Sequence, residues 1–272
     1  VAAGADTMRV VAVACGALLW SGSLAAQGAP RYAAAQLRCA RFAERVESRI
    51  RGQAGGRPRQ DDAGRSAVWI VRATTAGDSI GIEAWFDSLA VWRTTDGVVR
   101  SAATDGILGG RYRGLLSRLG AYTAIARPFV PEELADFADL RDAASELLPP
   151  LPARALRPGA TWHGPDGLDI QRLGDSSAAG RALERYRFER QGRRHDTTMA
   201  VVGDTLSIPV TQRTDETGEL TWDPVRGPLL RQRHITVETE VPEGNGLRYP
   251  VRSLLDQRVT LERLPDIPSA GP

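Results

Sequence analysis

The chain has 272 residues, 42% of them hydrophobic, with 35 basic residues against 33 acidic ones and a formal net charge of +2. That balance argues against a nucleic-acid partner, and the apolar content argues against an intrinsically disordered chain. No lysine occurs, so every basic residue is an arginine; they are scattered, and only Arg181–Arg194 is locally basic.

In chain order, Met8–Ala26 reads as a secretory signal peptide. Arg9 supplies the positive start, Val10–Trp20 the apolar run, and Ser21–Ala26 the small residues before a cleavage site near Ala25 or Ala26. The apolar run is shorter than the roughly 20 residues a bilayer-spanning helix needs. Val1–Thr7 precedes the better start at Met8 and is set aside as an upstream extension, so residues 1–26 are excluded from the fold. Cleavage implies a periplasmic or secreted protein with no transmembrane span. It also removes Cys15, which lies in mid-run, unsuited to a lipid anchor, and leaves Cys39 unable to form an internal disulfide. Cys39, among Ala and Arg with no nearby His, reads as a buried or idle thiol.

The mature chain is rich in strand patterns. Phe42–Arg51 fits a helix or a strand and is assigned to strand, with Gly52–Asp62 as a loop leading to its partner. Ala67–Thr74 and Ser79–Phe86 form a hairpin around Ala76–Asp78, and Leu89–Arg93 and Val98–Arg100 another around Asp96–Gly97. Thr104–Gly120, rich in glycine, reads as a long turn-laden loop. A helix is expected over Pro131–Leu148, with Pro131 in its first turn, Glu132 and Glu133 at its positive end, and an apolar stripe of Leu134, Phe137, Leu140, Ala144, Leu147 and Leu148 packed on the sheet. Pro149–Pro158 follows as a Pro-rich linker.

Turns are expected at Asp166–Gly167, at Gln191–Arg194 and at Asp223–Gly227. Toward the C-terminus Leu229, Ile235, Val237 and Val241 share a parity with Arg231, Arg233 and Thr239, and Pro242–Gly246 joins this strand to a second. There Leu247, Tyr249, Val251, Leu255, Val259 and Leu261 alternate with polar residues. A strand of that reach, about 55 Å at ~3.3 Å per residue, has to bend or wrap. The fold class is therefore mainly β, a curved antiparallel sheet (half-barrel or β-clam) with one packed helix near 131–148. Residues 27–272 form either one β-rich domain or two β halves, 27–126 and 156–264, joined by the helix and linker.

No motif names a reaction. Gly77–Gly81 matches G-x-S-x-G with Ser79 as nucleophile, but the following residues alternate as a strand where a nucleophile elbow needs a helix. His163, His195 and His234 lie far apart, and Asp166, Asp169, Asp204, Asp215 and Glu216 lack calcium-loop spacing, so no metal or cofactor is expected. Gly106–Gly114 lacks the G-K-[ST] of a phosphate loop, although Arg111 and Arg113 beside it have the charge to hold an anion. The strand-borne aromatics Trp69, Trp85, Trp92, Trp222 and Tyr249 are the candidate ligand-binding residues, with core filling as the competing role.

The order of signal peptide, β region, helix, Arg157–Trp162 and the Trp222–Asp223–Pro224 hairpin with Gly227 resembles uncharacterised secreted β-rich proteins of GC-rich bacteria. The long curved sheet with helical cover is similar to the half-barrels of LolA-like periplasmic lipid carriers. That resemblance is architectural and brings no residue-level motif. The one-sided strands, the covering helix and the strand-borne aromatics lead to the expectation of a non-enzymatic exported protein whose sheet encloses a cavity for a hydrophobic or lipid-like ligand. A structural or partner-binding β module with a filled core is the alternative, and a serine hydrolase using Ser79 the third reading.

Overall fold

The computed structural model of the chain describes residues 28–54, 57–178, 180–202, 204–241 and 251–266. The signal segment Met8–Ala26, the turn Pro242–Gly246 and Tyr249 lie outside the described residues.

Among the described residues, twelve strands make one open, curved antiparallel sheet, and two short helices accompany it. The first half of the chain contributes β1 (Ala40–Ala54), β2 (Arg57–Ala76), β3 (Ser79–Thr95), β4 (Val98–Ser101), β5 (Tyr112–Leu116) and β6 (Tyr122–Ala126). The second half contributes β7 (Thr161–His163), β8 (Leu168–Ala178), β9 (Arg181–Val202), β10 (Asp204–Asp223), β11 (Gly227–Val241) and β12 (Val251–Leu264). Their order across the sheet is β6-β5-β3-β2-β1-β12-β11-β10-β9-β8-β7, with β4 paired to β3 off this path. The chain thus steps outward to one edge, crosses to the far edge, and steps back until β12 pairs with β1 from Arg41/Leu264 to Gly52/Ser253.

The strand Phe42–Arg51 is observed, inside β1. The expected loop Gly52–Asp62 is not: Arg57–Asp62 is already β2, paired with Arg49–Ala54. The turn expected at Gln191–Arg194 is also absent, because these residues pair with Gln212–Asp215 in mid-strand. Gly192 has open space around its α-carbon and an unremarkable backbone there, so it punctuates nothing. The hairpins at Gly77–Asp78, Asp96–Gly97 and Asp223–Gly227 do form. Asp96 and Gly97 both have positive φ, 51° and 77°, as a type I′ turn requires. β3 is continuous where the pattern suggested two strands. A bulge opposite Val68/Trp69 adds Asp87, so the inward parity moves from Ile80, Ile82, Ala84 and Phe86 to Leu89 and Val91.

The helix expected over 131–148 is replaced by a mostly irregular strap. After α1 (Ala34–Leu37), the second helix α2 spans only Glu132–Ala135, and Ala143–Glu146 is a 3-10 turn. The apolar stripe nonetheless faces the core: Leu134, Leu140, Ala144, Leu147 and Leu148 are buried in it. An 18-residue helix is about 27 Å long at 1.5 Å per residue, and its carbonyls bond inward to itself. Here the strap runs from β6 at one sheet edge to β7 at the other, and its carbonyls bond to side chains of the sheet and of the segment before α1. The Tyr112 hydroxyl donates to Leu140 O at 2.6 Å, and the Tyr32 hydroxyl to Pro149 O at 2.9 Å. Guanidiniums supply the rest: Arg93 to Asp136 O, Arg65 to Asp139 O, Arg231 to Glu146 O and Arg172 to Leu156 O. Pro149–Pro158 is accordingly no free linker, since Leu151 and Leu156 are buried and Arg31 donates to Pro152 O and Ala153 O. The glycine-rich loop Thr104–Gly120 likewise contains β5, paired with β3 between Ala84/Tyr112 and Ile80/Leu116.

Burial raises the phenols of Tyr32 and Tyr112 well above their ordinary value of about 10. Each holds its proton more tightly folded than unfolded, so their stabilisation is intact below pH 10 and is lost as pH rises above it. Urea unfolding across pH should therefore show stability falling above about pH 10. Tyr32→Phe/Tyr112→Phe should start about 2 kcal/mol less stable, at ~1 kcal/mol per hydrogen bond, and fall less steeply. An alkaline limb as steep as the parent's would show that these two clasps do not carry it.

Candidate functional site

The sheet curls far enough for its two ends to share one cavity. Laid flat, β5 and β7 would stand nine spacings apart, about 43 Å at ~4.8 Å each. Yet the turn Ser117–Ala121 after β5 and Trp162–Leu168 around β7 line the same cavity of about 550 Å3. Its floor is the inward face of β9, β10 and β11, and its roof is the strap around Ser145–Leu151. The Leu151 amide donates to Leu119 O at 2.8 Å, tying the strap to the β5–β6 turn at the cavity wall.

Phe188, Leu148, Leu151, Leu168 and Trp162 give the cavity apolar walls, while Arg190, Arg231, Arg233 and Glu216 bring charge to the floor. Register explains the cluster. Glu216 faces Arg190 on β9 and Ile235 on β11, and Gly218 faces Phe188 and Arg233. Gly218 is required there, because a Cβ would lie 2.3 Å from both Phe188 Cζ and Gln232 O. Arg233 Nε donates to Glu216 Oε1 at 2.7 Å, and its Nη1 to Glu146 Oε2 at 3.2 Å. Arg231 Nη1 donates to Glu146 O at 2.5 Å, and its Nη2 stands 3.7 Å from Glu216 Oε1. Burial, and then the neighbouring Arg233, pull the Arg231 pKa below the ordinary arginine value.

The sequence-predicted aromatics are not brought together. Trp69 and Trp222 are 0% and 1% exposed. Trp69 packs on Phe86 and Tyr112 and donates its indole N–H to Glu44, which also takes two bonds from Arg65. Trp222 meets Tyr32 edge-on at 5.1 Å and borders a second hollow near Gly28–Gln36. Trp85 lies on the opposite face, with the Arg111 guanidinium 3.5 Å above its ring. Trp92 lies against Gly64 and edges a shallow outer hollow with Arg49, Asp62 and Arg258. Tyr249 is outside the described residues. The cavity is lined instead by Trp162 and by arginines that share a parity with apolar neighbours, and that inward parity of Arg231 and Arg233 was the available signal.

The other motifs resolve into local structure. Ser79 opens β3 opposite Ala76 across the Gly77–Asp78 turn, so the strand-to-helix elbow is absent. The histidines are engaged elsewhere: His163 with Asp169, His195 with Thr211 and His234 with Asp256. Arg113 pairs with Glu83. Among the described residues no group of three or more His, Cys, Asp or Glu is placed to hold a metal, and no helix is long and apolar enough to cross a membrane.

No family model and no curated protein matches the chain. Among solved structures it is similar to the β domain of the Bordetella autotransporter BrkA, at 10% identity over 83% of this chain and 99% of that one, with a TM-score of 0.22. It is also similar to a DUF1329 family protein from Desulfovibrio piger, at 12% identity over 81% and 84% of the two chains, with a TM-score of 0.15. At these scores neither likeness bears on the fold or the function.

The charge cluster makes opposite demands on two of its members. Glu216→Ala strips the buried carboxylate from between two guanidiniums and should cost about 3–5 kcal/mol. Arg231→Met removes a charge that burial disfavours and leaves the Arg233–Glu216 pair, but it also removes the clasp on Glu146 O, so it should cost about 1–2 kcal/mol, clearly less than Glu216→Ala. Urea unfolding of the two variants checks the contrast, and equal losses would contradict it.

Proposed function

We propose that the protein is an exported, non-catalytic binding protein whose strapped half-barrel holds a hydrophobic or lipid-like ligand. The observation that carries this reading is the cavity of about 550 Å3 between strap and sheet, within the ~300–1,000 Å3 of small-molecule sites. Its apolar walls come from both edges of the sheet, so the site exists only because the sheet curls. The signal-like segment Met8–Ala26 supports export. The continuous pairing of β1 with β12 supports reading residues 27–272 as one domain.

The test is binding of the neutral probe N-phenyl-1-naphthylamine to the full chain, alongside native mass spectrometry for co-purified ligand. We expect a saturable fluorescence rise at one site per chain, weakened at least tenfold in Ala121→Trp, which fills the mouth of the cavity. No saturable binding and no bound adduct would overturn the reading, as would binding untouched by Ala121→Trp.

A further inference from the structure

Two guanidinium groups face the cavity without a carboxylate of their own: Arg231 only shares Glu216 with Arg233, from 3.7 Å, and Arg190 has none among the described residues. Arg233 is neutralised by Glu216 and Glu146. Arg231, only 6% exposed, gives one nitrogen to the Glu146 carbonyl and leaves its Nε buried without a partner. Arg190, on the neighbouring β9, also has a buried, unpartnered Nε, and among the described residues it makes no ion pair. A buried donor left unpaired costs its full desolvation, and more so when the group is charged. What sets Arg190 and Arg231 apart is that both line one cavity with less carboxylate than their two charges require, and such a wall favours an anion.

The remaining charges bordering the cavity do not cancel this pair. Glu216 is committed to Arg233, Glu146 is half-exposed, and Asp166 is exposed at the rim. Facing the arginines are the apolar walls of Leu148, Leu151 and Trp162. The geometry points to an amphipathic ligand whose anionic head, a carboxylate or a phosphate, sits on Arg190 and Arg231 while its apolar tail lies under the strap. A guanidinium suits this role because its planar fork meets either oxyanion with two parallel bonds. The inference rests on the cavity reading and adds the head-group chemistry to it.

Isothermal titration of the full chain with dodecanoate, dodecyl phosphate and dodecanol, each below its micellar concentration, holds the tail constant and changes the head. The anions should bind about tenfold or more tightly than the alcohol, as charge-assisted bonds predict. Whichever anion binds tighter identifies the carboxylate or phosphate source. Arg190→Gln should reduce the anion preference to about twofold while leaving dodecanol affinity unchanged, and Arg231→Met, which also removes the clasp on Glu146 O, should reduce the ratio of anion to alcohol affinity to about twofold as well, with thermal unfolding confirming that both variants fold. Equal binding of all three by the parent would overturn the head-group inference and leave the cavity reading standing. Binding of none would remove both.

Discussion

The structure depends on one kind of bond, from a side-chain donor on the inward sheet face, or for Tyr32 on the segment before α1, to a backbone carbonyl of the strap. The strap crosses the sheet from edge to edge with little hydrogen bonding of its own, and a buried carbonyl without a partner is costly. Tyr112, Tyr32, Arg93, Arg65, Arg231 and Arg172 meet that demand at intervals from Asp136 to Leu156. The same bonds fix how far the strap stands from the floor. They therefore fix the height of the cavity, which ties the clasp directly to any ligand the cavity receives.

The absence of lysine acquires a structural meaning here. Arg31 reaches Pro152 O and Ala153 O with separate nitrogens, and Arg65 holds both oxygens of Glu44 while also reaching Asp139 O. A guanidinium can divide its five donors between two elements in one plane, whereas a lysine ammonium is a compact point charge. Lysine at position 65 would keep a charge near Glu44 but could not span to the strap in the same geometry. Whatever set the arginine-only composition, the clasp exploits it.

The strands were largely legible because alternation reports which face is buried, and the hairpins because Gly-Asp, Asp-Gly and Asp-Pro place turn chemistry where chain reversal needs it. What escaped depended on distant partners. Pro131–Leu148 carries a true helical stripe, and its apolar residues are buried as that stripe implies, but tertiary donors outcompete the helix for its carbonyls. Asp87 hides the continuity of β3, since one bulged residue shifts the parity. The candidate site was the least legible part. It is assembled from both ends of the sheet order, and only the curl brings Ala121 and Trp162 to one cavity.

Inward arginines are also where stability and function diverge. A core selected for stability alone would place apolar residues at 190, 231 and 233, beside Phe188 and Ile235, since replacing buried ion pairs by apolar side chains is often neutral or stabilising. The chain instead keeps three guanidiniums with only one fully buried carboxylate among them. Arg233 with Glu216 forms the pair that holds the cluster together, and Arg231 anchors the strap through Glu146 O. Arg190 has no such structural duty among the described residues, yet it occupies the floor of the cavity. Arg190, partly buried on the cavity floor, is therefore the position where the proposed ligand, and not the fold, would account for a retained charge.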